Sequence, residues 1–534
     1  MNQRRPPAPK ENMRARKSSL FSTGKKMKPA DARSVTDMVE SGDSSSRKLK
    51  PPHMGPATER MENEDRISNL PETILCRILS FLDMRYVVQT SLLSRRWRYI
   101  WTSVPNLDFD HQYFLSRIGG RDESKNGFMD FVDRVLLLRN SSDIQNFCIS
   151  CGWYCDINRI HSWIFVAVRR NVHQFHLKIR PKEPLELPLC LFTCKSLRVL
   201  KLDMDYVPLE LKLPDSMNLP LLKTLHLELV NLEEKLIAKI LSGCPALETL
   251  ILIMCQFKYA KNIIICSHEL KKLVVEACSM DHCGSDDCKV NIWAPNLTSL
   301  RCVDYMTKEY FLGNLSALVS AEFDMKIGEG RPFEETVELS IERKQLYAQR
   351  MIKCLRGLCR VKALTLSAFM LEMVAEAPHY VLECLPTPFC NLRYMKLKTW
   401  FSKDCLRAIV YLLKCSPNIE TFILESTVKN LSWYEKHPVC NEAMLDVANN
   451  GDNWEAELPL KCPLHHLKTV EMRNLQGCEN ELMFLKFVMK NAMVLEEMII
   501  VASKRFTLSG IKEKFDDKLQ TFQQASPSLC ILFF

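Results

Sequence analysis

Four residues in one stretch, Cys278, His282, Cys283 and Cys288, are of the types that hold a tetrahedral zinc ion. Their spacing is irregular, and the Gly284-Ser285-Asp286-Asp287 run crowds the same loop with carboxylates. The stretch therefore reads as a connection between elements, and no metal site is assigned. His465 and His466 sit beside an expected strand, where adjacent residues face opposite ways and cannot share an ion. Cys76 lies inside an apolar helical pattern and reads as a small interface hydrophobe rather than a nucleophile. The chain has no Walker loop, no GxSxG, no HExxH and no pair of Cys-x-x-Cys motifs at zinc spacing. No catalytic set and no cofactor follow from these residues, so the chemistry to expect is binding.

The chain has 534 residues, of which 47% are hydrophobic, enough for more than one ordinary core. No run of about 18 apolar residues marks a membrane span, and the N-terminus does not read as a secretory signal. The 23 cysteines are scattered through apolar contexts such as Cys76, Cys194, Cys255 and Cys415, as expected for reduced, buried thiols in the nucleus or cytoplasm. Net charge is +9, but residues 1–60 hold 14 Lys/Arg against 6 Asp/Glu, so the tail contributes +8 and the rest only +1. A basic tail rich in Pro and Ser, on a nearly neutral body, argues against a nucleic-acid-binding fold. Residues 1–62 read as disordered, with Lys25-Lys26-Met27-Lys28 as a candidate nuclear-import signal inside a solvated tail.

From Arg66 the texture changes. Asn69 or Ser68 can cap a helix with Pro71 in its first turn. Ile74, Leu75, Ile78, Leu79 and Leu82 then form one wide apolar stripe. A second helix is expected from about Met84 to Leu93, and a third after Ser94 with Trp97 and Trp101 on one face. Three short helices of about 45 residues cannot hide so many large apolar groups from water, so some should face a partner. The alternative is a helical cap on whatever follows.

This segment resembles an F-box. Leu70-Pro71-Glu72-Thr73-Ile74-Leu75 is similar to the opening of that family, Ile78 to Leu82 to its core, and Ser91 to Trp101 to its Ser-Leu-Leu-Ser-Arg-Arg-Trp-Arg-x-x-Trp signature. The resemblance implies docking on a Skp-type adaptor and, through it, a cullin–RING ubiquitin ligase. Leu70, Pro71, Ile74, Leu75, Ile78, Leu79, Leu92, Trp97 and Trp101 would line that interface or support it, aromatic anchors being the usual hot spots.

Beyond Asp110 an apolar-x-x-apolar-x-apolar motif recurs, starting at Leu197, Leu222, Leu247, Leu270 and Leu297, with weaker copies at Ile144, Val172, Leu318, Val361, Leu392, Ile419, Leu467 and Leu495. Successive starts from Leu197 to Leu318 differ by 25, 25, 23, 27 and 21, near the period of a leucine-rich repeat. Apolar helical stripes, such as Leu236-Ile237-Ile240-Leu241 and Leu406-Ile409-Val410-Leu413, end at Pro245 and Pro417. The expected fold is an α/β solenoid with parallel strands on the concave face and helices outside. A doubly wound α/β domain would need no local repeat and would show a Gly-rich loop. Alternation within each strand puts Val199, Lys201, Asp203, Thr224, His226, Glu228, Thr249, Ile251, Ile253, Lys272, Val274, Glu276, Ser299, Arg301 and Val303 on the concave surface. Of these, Lys201, Asp203, His226, Glu228, Lys272, Glu276 and Arg301 are the candidate target contacts.

Residues 431–457 read as an acidic loop. The segment after it resembles the FBD domain of plant F-box/leucine-rich-repeat proteins through Cys462, His466-Leu467-Lys468, Gly477, Glu481, Asn491-Ala492 and Leu495-Glu496, with a helix over Glu481 to Asn491. The expected organisation is tail 1–62, F-box 63–110, repeats 111–430, loop 431–457 and FBD 458–530. The expected role is a non-catalytic receptor subunit that binds an unidentified target protein, with no nucleic-acid or membrane partner. The competing expectation is a leucine-rich-repeat scaffold or sensor acting outside ubiquitination.

Overall fold

The computed structural model describes residues 66–534 apart from 116–122, 152–154, 181–184, 206–208, 213, 215–216, 233, 258–259, 277–287, 328–338, 378–388, 428–463 and 505–510. The basic tail with Lys25–Lys28, the acidic loop 431–457, Cys462, and the zinc candidates Cys278, His282 and Cys283 lie outside the described residues. Among the described residues there is no cluster of three or more metal-type side chains, and no helix is long and apolar enough to cross a membrane.

Fifteen strands form one sheet, every neighbouring pair parallel, from Asn106–Asp110 to Cys530–Phe533. Each motif start read from the sequence, from Ile144 to Leu495, precedes one of these strands by two residues. The register explains why. Leu200, Leu225, Leu250, Leu273 and Leu300 align across five strands, as do Leu202, Leu227, Leu252, Val275 and Cys302. All ten are buried, and each large apolar side chain so covered contributes about 1.5–3 kcal/mol relative to exposure. A slip of one residue would turn both rows into water.

Parallel strands need a crossover between them. Helices supply several of them, including Ile157–Arg169, Glu234–Gly243, Ile341–Gly357, Lys403–Lys414 and Glu479–Asn491. The two helices read from the sequence before Pro245 and Pro417 are among them, and Ser402 caps the second by accepting a hydrogen bond from the Cys405 amide. In the middle of the chain short parallel strands take the helices' place. Leu185–Glu186, Leu209–Lys212, Val230–Leu232 and Gln256–Phe257 form one ribbon, and Asn262–Cys266, Lys289–Trp293 and Glu309–Leu312 another. Ile263-Ile264-Ile265 shows the reason, since β-branched residues in alternation suit a pleated surface better than a helix. Ile263, Ile265, Val290 and Tyr310 of this layer face Leu252 and Val275 of the main sheet around one small internal void.

The boundaries expected at 110 and 458 do not separate independent cores. Asn106–Asp110, at the end of the F-box segment, is the first strand of the long sheet and pairs residue for residue with Asn146–Ser150. At the other end Thr421–Ser426 pairs directly with Thr469–Leu475, so the FBD segment supplies the last three strands of the same sheet.

Local expectations in the F-box segment need three corrections. Pro71, not Asn69 or Ser68, is the N-cap of helix Glu72–Leu79, its carbonyl accepting from Ile74 and Leu75, while the Ser68 hydroxyl instead accepts from the Trp97 indole at 2.8 Å. The second helix is α only over Met84–Gln89 and tightens to a 3-10 turn at Thr90–Leu92. The third is a 3-10 helix, Trp97–Ser103. Short elements with few intrahelical bonds follow their neighbours' packing rather than their own propensity.

The cysteines are also less uniform than expected. Cys151 and Cys155 are paired, and Cys266, Cys390 and Cys530 are exposed rather than buried.

Candidate functional site

The wide stripe on helix Glu72–Leu79 divides between two environments. Leu75, Cys76 and Leu79 turn inward, and Cys76 sits against the Ile100 carbonyl. Ile74 and Ile78, one turn apart on the outer side, remain 42% and 44% exposed. Beyond the helix, Phe81 is 83% exposed, and Leu92 and Leu93 are 86% and 68% exposed. Ile67, Leu82 and Tyr99 are also open. Of the residues assigned to the adaptor, Pro71, Ile74, Ile78 and Leu92 are therefore on the surface and Leu70 is half-buried. Leu75, Leu79, Trp97 and Trp101 are inside and act as support rather than contacts. Sequence reasoning missed Ile67, Phe81, Leu93 and Tyr99 as open apolar groups. Phe81 and Leu93 could have been found from their place next to Leu82 and Leu92. Arg66, Arg77, Arg95, Arg96 and Arg98 of the same segment are exposed, as is Glu72.

The inner layer holds this face rigidly. Arg96 donates to the Leu70 carbonyl, and the Asn106 amide donates to the Ser80 carbonyl at 3.2 Å. From the solenoid side, buried Arg139 donates to the carbonyl of Val104. Burial and the nearby Arg170 lower the Arg139 pKa to about 10, still well above neutrality, so the guanidinium stays charged.

The concave residues fall in three registered rows, as alternation predicts. One row runs Asp108, Cys148, His176, Lys201, His226, Ile251, Val274, Arg301 and Glu322. Their availability differs, however. Asp203 is buried and held by Lys178 at 2.9 Å, which removes it as a free contact. Val274 and Val303 are buried as well. Arg301 lies 3.7 Å from Glu276 and 3.4 Å from Glu322. His226 is 3.5 Å from Glu228, but burial and then Lys201 lower the His226 pKa, so the imidazole is neutral at pH 7. Lys201 and Lys272 are exposed.

Asp108, Cys148 and His176 lie side by side in one row, with the Cys148 sulfur 3.4 Å from His176 Nδ1. Burial, followed by Asp108, pushes the Cys148 thiol up to about 12. Burial likewise lowers His176. Both groups are neutral, so the pair lacks the thiolate a nucleophile needs. His465 and His466 lie in the turn ahead of strand Thr469–Leu475, and both are exposed.

In the FBD segment the resemblance residues build a turn. Gly477 has φ 82°, a conformation that favours glycine. The fully buried Glu481 carboxylate accepts from the backbone amides of Gln476, Gly477 and Cys478 at 2.7–3.1 Å. The Asn480 side chain donates to the Phe401 carbonyl at 2.9 Å, fastening helix Glu479–Asn491 to the connection after strand Tyr394–Thr399.

Comparison with known proteins agrees with this architecture. The F-box domain family matches residues 67–109. The leucine-rich repeats of the FBD-associated F-box protein At5g56370 match residues 160–314, and the FBD family matches 456–500. Among Arabidopsis thaliana proteins, the F-box/LRR-repeat protein At3g59210 is 30% identical over 82% of this chain and 88% of its own length. The F-box/LRR-repeat protein At4g14103 is 32% identical over 70% of this chain and 94% of its own. The putative F-box protein At1g58310 is 32% identical over 68% and 74%.

Proposed function

This chain belongs to the F-box/LRR-repeat family, and on that premise we propose that it is the substrate receptor of a Skp–cullin–F-box ubiquitin ligase. Proteins of this family are generally non-catalytic substrate adaptors, and F-box domains generally bind a Skp-type adaptor. The observation that carries the reading is the apolar stripe Ile74, Ile78, Phe81, Leu92 and Leu93, left open on a segment whose other face is built into the solenoid. A mere cap on the repeats would turn its large apolar groups toward them. Large apolar groups left open beside exposed charged ones are the anatomy of a docking surface.

The chemistry asked of the chain is positional. The adaptor anchors one end, the concave face captures a target, and a lysine of that target is held near an E2 carried elsewhere in the complex. The gain comes from effective concentration. A shared sheet between the docking segment and the repeats suits that task, because it fixes the distance between captured target and scaffold.

The test uses the full chain and a purified Skp-type adaptor. Leu70 and Pro71 are poor choices for substitution, since one packs on the core and the other caps a helix. Phe81→Asp with Leu92→Asp changes only open side chains. Each is worth about 1.5–3 kcal/mol when buried, so the double change should weaken adaptor binding by about 3–6 kcal/mol while circular dichroism and the melting temperature stay as in the wild type. Adaptor binding that persists in the folded double variant would refute the receptor reading.

A further inference from the structure

We infer that the adaptor surface does not end with the F-box segment but continues onto the solenoid, where Leu137 and Leu138, at the end of helix Glu123–Leu138, seat a further apolar part of the adaptor. The inference rests on the receptor reading and deepens it.

Helix Glu123–Leu138 lies in the crossover between the first two strands of the long sheet. Its contacts tell its sides apart. Phe128, Val132 and Val135 are buried in the core. Asp133 accepts from the Trp163 indole at 2.6 Å, and Asp130 and Asp133 both pair with Arg159, so one flank faces the next helix, Ile157–Arg169. Phe131 meets the rings of Phe109 and Phe114, so the other flank faces the end of the F-box segment. Residues seven apart share a helix face. Leu138 is seven residues on from Phe131 and lies on that flank, with Leu137 beside it on the outer side. A solvent-facing helix side normally carries charged or polar groups. Here Leu138 is 60% and Leu137 82% exposed.

The next two residues tie this end of the helix to the F-box segment. Arg139 donates to the Val104 carbonyl, and the Asn140 side chain donates to the Ser103 hydroxyl at 2.6 Å. Ser103 ends helix Trp97–Ser103, on which Tyr99 is open. Tyr99 is four residues back from Ser103, about 8 Å along a 3-10 helix, and Leu138 is two residues back from Asn140. One bound protein spans both, since a standard interface covers about 800 Å² on each partner. The occupant follows from position. Helix Glu123–Leu138 packs on Phe109, which alternates along its strand with the concave residue Asp108, so the leucines are on the side of the sheet away from a target on the concave face. The surface that the Ser103–Asn140 bond joins to them is the F-box segment, whose partner is the adaptor.

The test uses the full chain and a purified Skp-type adaptor in titration calorimetry. Leu137→Asp with Leu138→Asp changes only open side chains, and should weaken adaptor binding about tenfold or more with the melting temperature as in the wild type. Phe165→Asp with Leu189→Asp places the same charges on open side chains of the two following helices, and should leave the affinity unchanged. The photocrosslinker p-benzoylphenylalanine in place of Leu138 should capture the adaptor, and in place of Phe165 should not. Unchanged affinity in the Leu137/Leu138 variant, equal weakening in the Phe165/Leu189 variant, or no crosslink from position 138 would overturn the inference. So would a wild-type dimer in sedimentation velocity that the Leu137/Leu138 variant abolishes with adaptor affinity intact, which would make the occupant a second copy of this chain. No adaptor binding by the wild type would fail the receptor reading. Binding lost in Phe81→Asp with Leu92→Asp but kept in the Leu137/Leu138 variant would fail this inference alone.

Discussion

Cutting the chain after residue 115 should unfold the F-box segment. Asn106–Asp110 pairs with Asn146–Ser150, and both Leu107 and Phe109 are buried at that seam. Phe109 also meets the rings of Phe131 and Phe147 at about 6 Å. Removing the solenoid exposes both side chains, a loss of about 3–6 kcal/mol. The same cut removes Arg139, which ties the Val104 carbonyl from the solenoid side. A unit of about 50 residues has a core worth only about 3–5 kcal/mol, so the loss matches its whole stability. The isolated fragment 66–115 should therefore show no cooperative thermal transition by circular dichroism and poor amide dispersion by NMR. Its adaptor affinity should fall below that of the full chain by the cost of folding on binding. A fragment that melts cooperatively and binds the adaptor as tightly as the full chain would refute the argument that the seam supplies the stability.

Two further outcomes can be checked on the full chain. Asp304, Lys308 and Tyr310 are buried together, with both Asp304 oxygens 2.9 Å from the Lys308 ammonium and the Tyr310 hydroxyl on one of them. Asp304→Ala strands a buried cation and should cost about 3–5 kcal/mol in denaturant unfolding, while Asp304→Leu with Lys308→Met should recover most of it; a single variant within 1 kcal/mol of the wild type, on the order of ordinary surface changes, would count against an obligatory pair. Burial pushes Glu481 up to about 7 against the pull of its three backbone amides, so the folded state keeps a proton that the unfolded chain releases near pH 4. Stability from this group is then complete at low pH and is lost as pH rises toward 7, by about 3 kcal/mol. Glu481→Gln should flatten the difference in unfolding midpoint between pH 5 and pH 8, and an unchanged difference would place the titration elsewhere.

The repeats were legible because a parallel solenoid states its core redundantly. Each apolar-x-x-apolar-x-apolar copy carries the same instruction, and even weak copies such as Val361 and Leu467 head real strands. The strand Asn106–Asp110 carries the same heading in Val104, Leu107 and Phe109, inside the segment that resembles an F-box, whereas Cys530–Phe533 has Ser528 at the heading position and owes its existence to an edge already formed next to it. For the same reason the sequence could place Lys201 and Asp203 on the concave surface but not say which was free. That depends on Lys178, one strand away, whose register with Asp203 settles only when the sheet assembles. The docking stripe obeys the same logic. Periodicity put Ile74, Leu75, Ile78 and Leu79 on one wide stripe in a segment too small to hide all its apolar groups, but Ile100 and its neighbours decide that Leu75 and Leu79 go inside. Both cases turn on what assembly leaves uncovered, which no single segment of the sequence states.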